Sequence, residues 1–314
     1  MSLTDIVPSL DEFTQFSDEQ VAEFVYPHQL GVSLLINGTR RWYVSEYLDT
    51  PPTDDSYLMH YLHVVLERLA ELFTLLASHG IYRVFIPVYS EDQKQRHATA
   101  HQYLMQGIAG LSSHPDLIAT YHQMGYDVRF YGDMAHHFRG DMEEAMNAAG
   151  PRRAQPRHYL YFGASSGNPH NHLFELVTQF GAIHNRPPTW EEMVELYYED
   201  ATMRPLDILI GFNRIYARMG VPTLLEGSEQ IYTTLVTPLI LSRKSLRSIL
   251  YDHLFNQHDV GRDYKNIGQG ELNRLREFYR SHEETIIGLS QKHENLVYAA
   301  YTPDSNGIPD GRPN

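Results

Sequence analysis

The sequence predicts an α/β fold: a central six-stranded, mainly parallel sheet flanked by helices, in one domain over residues 1–301. Three observations carry this. Short β-rich runs alternate with helix-period segments along most of the chain, an order that folds as a parallel sheet covered on both faces. Some runs, such as Asp207–Phe212 (DILIGF), are apolar without a polar alternation, as strands buried on both sides are. Hydrophobic residues make up 42% and charged residues 20% of 314 positions, enough to build a sizeable core.

Taken in order, the first strand is the run Val32, Leu34, Leu35, Ile36, interrupted by Ser33. It stops at Asn37-Gly38-Thr39-Arg40-Arg41, a tight turn that opens toward a helix beginning with a Trp-Tyr pair. Asp49–Asp55 reads as a loop ending in a helix cap. From Tyr57 to His79, Leu58, Leu62, Val65, Leu66, Leu69, Leu72, Phe73 and Leu76 recur at helical spacing, and Gly80 stands where a glycine stop belongs. The second strand is Ile81–Val88. Helices over Ala98–Gly110 and Asp116–Met124 lead to a strand at Tyr126–Tyr131. Residues Asp133–Pro156 carry helix formers and then a Gly-Pro-Arg-Arg break before the strand His158–Ala164. Leu173–His184 and Trp190–Asp200 are helical, the latter capped by Thr189. Asp207–Phe212 and Gln230–Val236 complete the six strands. Ser242–Phe255 is a basic amphipathic helix and Leu272–Arg280 a short one. The segment 302–314, with three prolines and two glycines, has the composition of a disordered tail.

The formal net charge of -14 and pI near 5.6 argue against nucleic acid held on a basic face. Without cysteine there are no disulfides, thiolate nucleophiles or Cys-based zinc sites. The N-terminus lacks a secretory pattern and no apolar run is long enough for a bilayer, so a cytoplasmic protein without a stable membrane anchor is expected. There is no P-loop or GxGxxG turn, which leaves nucleoside triphosphates and dinucleotides unsupported. His60/His63 and His97/His101 have helical ligand spacing but no third ligand in view, a weak zinc signal. His136-His137 and His170/His172 read as surface residues in loops. Asp54-Asp55 resembles half of an aspartate-rich magnesium motif, but no carboxylate follows at the helical repeat, and a cap is the better reading.

What remains is anion chemistry. The amides of Gly38 and Thr39 at a helix start, with Arg40 and Arg41 beside them, form a cradle suited to a phosphate or diphosphate. A plain strand–turn–helix junction with two solvated arginines is the alternative. In such sheets ligands bind beyond the carboxyl ends of the strands, where Asn37–Arg41, Val88–Asp92, Gly132-Asp133 and Gly211–Arg214 all fall. With 22 tyrosines the chain can also wall a cavity that tolerates a cation. A prenyl diphosphate combines the two demands, an anionic head and a long hydrocarbon.

These residues resemble the cis-prenyltransferase (undecaprenyl diphosphate synthase-like) superfamily, and more closely its tuberculosinol/isotuberculosinol synthase-like branch. The similarity lies at NGTRRWY (Asn37–Tyr43), HGI and PVYS within His79–Ser90, FYGD (Phe130–Asp133), RPPTWEEMVELYYED (Arg186–Asp200), DILIGFNR (Asp207–Arg214) and LRSILYDH (Leu246–His253). The resemblance implies a homodimer that uses Mg²⁺ to ionise a C20, bicyclic, kolavenyl-type diphosphate and quenches the allylic cation with water. Such an enzyme is formally a carbon–oxygen lyase or diphosphate hydrolase. It implies a diphosphate site of Gly38, Thr39, Arg40, Arg41 and Arg214, and functional tyrosines at Tyr61 and Tyr103, for each of which packing on a helix face is the alternative.

Two departures stand out. Elongating members end a later strand in Arg-Thr-Ser-Gly-Glu to hold isopentenyl diphosphate; here Gly211 replaces the first arginine and Arg214 alone is left nearby. Chain elongation is therefore the weaker alternative. A catalytically silent prenyltransferase-like partner subunit is the second alternative; retention of Arg40-Arg41 and of the tyrosines speaks against it, since a silent subunit needs no diphosphate cradle. The second departure is Asn37, where the family has an aspartate that ligates magnesium or aids ionisation; an amide is a poorer ligand for a hard cation. Either other oxygens serve here, or the chain is an impaired variant.

Overall fold

The computed structural model describes residues 7–50, 52–89, 98–149, 155–213, 222–225, 227, 229–256, 267–281, 290–293 and 296–299. The segment 302–314 lies outside them, as do 90–97 and 214–221.

Two short helices open the chain, α1 (Leu10–Gln15) and α2 (Asp18–Val25). Each starts at a capping box, Ser9 with Glu12 and Ser17 with Gln20, in which side chain and backbone satisfy each other's free donors. The strand β1 (Gly31–Leu34) is buried throughout and runs through the Asn37-Gly38 turn into α3 (Thr39–Tyr47). The long α4 (Leu58–Ser78) follows. Its N-terminus lacks the expected side-chain cap. Asp54 instead accepts the Ser56 amide (2.9 Å) in a turn just before it. The stop at Gly80 is as the sequence indicates, with φ +80° and the Ala22 backbone 3.1 Å from where a Cβ would sit, a conformation and a contact that favour glycine.

Next come β2 (Arg83–Tyr89), α5 (Ala98–Gly110), α6 (Pro115–Met124), β3 (Tyr126–Tyr131), α7 (His136–Ala148) and β4 (His158–Ala164). After them lie α8 (Pro169–His184), α9 (Trp190–Tyr198), β5 (Ile208–Phe212), β6 (Gln230–Thr234), α10 (Arg243–Tyr251) and α11 (Gln269–Ser281). The six strands form one sheet in the order β3-β4-β2-β1-β5-β6, and every pairing in it is parallel. Outside the sheet, β7 (Ser290–His293) and β8 (Leu296–Ala299) pair as an antiparallel hairpin, which the sequence reading had not placed.

Alternate strand residues feed two cores. Val84, Ile86, Leu160 and Phe162 pack with Phe73, Leu76 and Leu117 of the helices on one face. Phe85, Tyr161, Leu209 and Tyr131 pack with Tyr197 and Tyr198 of α9 on the other. The paired histidines after Met134 and Asn168 belong to helices rather than loops: His136 and His137 open α7, while His170 and His172 lie in the first turn of α8.

At the end of α4 the fully buried His79 ties three elements together. Its Nδ1 donates to the Leu75 carbonyl (2.8 Å), leaving Nε2 to accept from Arg247 Nε (3.1 Å). Arg247 of α10 also donates to the Thr14 carbonyl and to Asp18 (2.7 Å). Burial, the largest influence, pushes the His79 imidazole below its usual value. The unfolded chain therefore takes up the proton first, and His79 contributes stability above about pH 6.5 that is lost as pH falls below it. The urea midpoint is expected to drop between pH 7.5 and 5.5, with the drop reduced in His79→Gln; equal drops in both proteins would remove His79 as the cause.

Candidate active site

At the carboxyl ends of β1 and β2 a cavity of about 330 Å³ opens between α3, α4 and α5. Its mouth is polar, formed by Asn37, Gly38, Thr39, Arg40, Arg41 and Asp55. Behind it, Leu58, Leu62, Val65, Leu66 and Leu69 of α4 face Leu104, Ile108 and Leu111, with Ile86, Pro87 and Val88 of β2 as the floor. Tyr61 and Tyr103 stand in the wall. The turn expected to cradle an anion and the two tyrosines thus line one cavity, although they are far apart in sequence. Arg214 lies outside the described residues.

Gly38 makes the turn possible. Its φ is +76°, and a Cβ there would sit 2.4 Å from Cε1 of Phe212. Both the backbone conformation and the space require glycine. Gly38→Ala is expected to destabilise the protein by about 1–2 kcal/mol in urea unfolding and to lower turnover by displacing the turn. Unchanged stability would show that the turn relaxes freely.

Gly38 and the first residues of α3, Thr39, Arg40 and Arg41, line the mouth, and a helix N-terminus favours negative charge. Thr39 Oγ1 and Tyr61 OH are hydrogen-bonded at 2.7 Å, which ties the turn to α4. Arg40 Nε donates to Tyr57 OH (2.5 Å), and its guanidinium lies 5.5 Å from the centroid of that ring. Among the described residues neither Arg40 nor Arg41 forms an ion pair, so their charge is available to a ligand. Tyr43 is fully buried behind them; its OH meets His60 Nδ1, and burial raises its pKa above the usual phenol range. Tyr43 also packs edge-on against Tyr61 (5.4 Å).

Sequence reasoning missed the apolar half of this site. Gly107 and Gly110 let α5 approach α4: a Cβ would lie 3.1 Å from Leu62 Cδ2 and 2.5 Å from Leu66 Cδ1, respectively. Two glycines three apart inside a helix were the available signal. Asp55, read as a cap residue, lies at the mouth instead.

The metal expectations fare differently. Among the described residues no group of three His, Cys, Asp or Glu side chains gathers as a metal site. His60 is engaged by Tyr43, His63 by His114 (3.1 Å) and His101 by Tyr89 (3.0 Å); His97 lies outside the described residues. For Mg²⁺ the cavity mouth offers the Asn37 amide and the Asp55 carboxylate. That donor set does not fit a resident hard cation, which takes several oxygens, carboxylates above all. No helix among the described residues is long and apolar enough to cross a membrane.

No family model matches the chain. Among curated proteins it is 26% identical over 296 residues to tuberculosinyl adenosine transferase of Mycobacterium tuberculosis, covering 92% of this chain and 97% of that protein. It is 23% identical over 232 residues to (+)-kolavelool synthase of Herpetosiphon aurantiacus, covering 72% and 76%. Among solved structures, lavandulyl diphosphate synthase from Lavandula x intermedia, in complex with dimethylallyl diphosphate, superposes with a TM-score of 0.57 at 12% identity, over 72% of this chain and 94% of that one. A probable undecaprenyl diphosphate synthase from Campylobacter jejuni gives 0.50 at 9% identity, over 74% and 98%. The strand order and these neighbours agree on the undecaprenyl diphosphate synthase-like fold. In sequence the chain is thus similar to tuberculosinyl adenosine transferase and (+)-kolavelool synthase, and in fold to undecaprenyl diphosphate synthase-like structures.

Proposed function

We propose that this protein is a diterpene alcohol synthase: it ionises a C20, kolavenyl-type bicyclic diphosphate and captures the allylic cation with water, releasing pyrophosphate. The observation that carries this reading is a cavity that joins a guanidinium-lined mouth to an apolar barrel. Its volume of about 330 Å³ is at the small end of the range of roughly 300–1,000 Å³ for small-molecule sites. Arg40, Arg41 and the first amides of α3 hold the diphosphate and stabilise the charge that builds on it as the C–O bond breaks. The rings of Tyr61 and Tyr103, beside the barrel, present π faces to the cation. Magnesium belongs to the proposal as a companion of the diphosphate, and no step is assigned to it. The homodimer is likewise part of the proposal.

The test is incubation with linear and bicyclic C15 and C20 diphosphates, with pyrophosphate and products quantified by mass. An alcohol from a bicyclic C20 substrate is expected. Longer chains on adding isopentenyl diphosphate, or no pyrophosphate from any substrate, would overturn the reading. A second reading, transfer of the prenyl group to a nucleoside, is supported by the wider match to the adenosine transferase; adenosine added to the same assay separates the two by product mass.

A further inference from the structure

Two phenols of one helix pin the turn at the cavity mouth from behind. Thr39 and Arg40 belong to the first turn of α3 and both line the mouth. Thr39 Oγ1 meets Tyr61 OH at 2.7 Å, and Arg40 Nε donates to Tyr57 OH at 2.5 Å. Tyr57 stands at the N-cap of α4 and Tyr61 follows four positions later, so the two rings lie on one side of that helix. Tyr57 is itself held. It is 9% exposed, and its ring stacks on that of the buried Tyr43, with centroids 6.0 Å apart. Tyr43 stacks in turn on Tyr47 (5.1 Å) and is tied through its OH to His60.

The consequence lies in which donors of Arg40 remain. A guanidinium meets an anion either side-on, through Nε and one terminal nitrogen, or end-on, through its two terminal nitrogens. Tyr57 occupies Nε, and among the described residues the two terminal nitrogens have no hydrogen-bond partner. Resting on the reading above, we propose that Tyr57 is a positioning residue for diphosphate release: it sets Arg40 in place as an end-on fork at the mouth before the substrate arrives. An exposed arginine otherwise spreads over many rotamers, and the freedom it must give up on gripping a diphosphate is here given up in advance. Tyr57 touches no reacting atom; it acts through Arg40.

Packing explains the ring of Tyr57 but not its oxygen. Tyr57, Tyr43, Leu58 and Val64 form a small apolar cluster of their own, in which a phenylalanine would fill the same place. A buried phenol needs a partner for its OH, and the partner taken is a side chain that also lines the mouth. Arg41, the next residue, has no such brace among the described residues. The mouth thus pairs one guanidinium held in place with one that is not, and the effect of Tyr57 is confined to the first.

The experiment is a double-mutant cycle on Tyr57→Phe and Arg40→Ala. It reads the rate of pyrophosphate release from the C20 diphosphate on which the wild type is active, and the affinity for inorganic pyrophosphate by calorimetry. Tyr57→Phe alone is expected to lower kcat by about 10-fold and pyrophosphate affinity by about 5-fold. In the Arg40→Ala background the same substitution should change neither by more than about 2-fold, because the residue through which it acts is gone. Equal losses in both backgrounds would make the hydroxyl merely structural; that result, or an unchanged rate and affinity in Tyr57→Phe, overturns the proposal. Should Tyr57→Phe fold poorly, Arg40→Lys breaks the same bond from the other side, and wild-type kcat and affinity in that variant would overturn it equally. A wild type that binds pyrophosphate but releases none from any diphosphate removes the reading of the activity, while the affinity arm still decides the role of Tyr57. A wild type that does neither removes both.

Discussion

Arg41→Ala is expected to lower the rate of pyrophosphate release by about 10²-fold or more, with a smaller change in KM. Arg41 lines the cavity mouth and has no ion-pair partner among the described residues, so its removal breaks no ion pair there. Charge on the leaving diphosphate grows as the C–O bond breaks, and an interaction stronger in the transition state than in the ground state appears mainly in kcat. Arg41→Lys keeps the charge but loses the planar fork and should fall between the two. Arg40→Ala makes a less clean test, since Arg40 also braces Tyr57 through a hydrogen bond and a cation–π contact; part of its effect will be loosening of α3 against the start of α4. An unchanged rate in Arg41→Ala would show that the mouth does not hold the leaving group.

The sheet was legible because each strand is a compact apolar or β-branched run flanked by turn residues. Tyr126–Tyr131 and His158–Ala164 match to the residue, and Gln230–Val236 overshoots only at its end. The turn at Asn37–Arg41 was legible because a glycine and two arginines after a buried strand have few structural uses. The first two helices were not noticed, although the patterns Ser9-x-x-Glu12 and Ser17-x-x-Gln20 announced them; helices this short carry little periodicity, and only the caps gave them away. The barrel of the cavity was illegible for a deeper reason. Leu62, Leu66 and Leu69 look like ordinary core residues on a helix. What turns that face into a cavity wall is how α5 sits against it, set by Gly107 and Gly110 across more than forty residues of sequence. Asp55 misled by the same route, since an acidic residue before a helix reads as a cap until the loop is seen to open into the cavity.

Asn37→Asp is expected to raise pyrophosphate release by about 10-fold or more in saturating magnesium and to make the rate steeply dependent on it. Asn37 is exposed at the mouth, and its backbone N–H donates to the Leu35 carbonyl (2.8 Å). That bond survives the substitution, which exchanges a neutral amide for a carboxylate of nearly the same shape. Next to a diphosphate the new charge acts in opposite senses according to the counterion. When a divalent cation is supplied, the new carboxylate would be a hard ligand and, with Asp55, would help to hold it. With the cation chelated it stands against the substrate's own negative charge and repels it. The aspartate form should therefore lose to the wild type when the metal is removed and overtake it as the metal is added, with the curves crossing. Pyrophosphate binding by calorimetry carries the same signature without turnover: weaker than wild type in chelator, tighter in magnesium. Equal rates and equal affinities in both conditions would mean that the residue after the first strand has no part in handling the leaving group, and that the charge there is managed by Arg40, Arg41 and the amides of α3 alone.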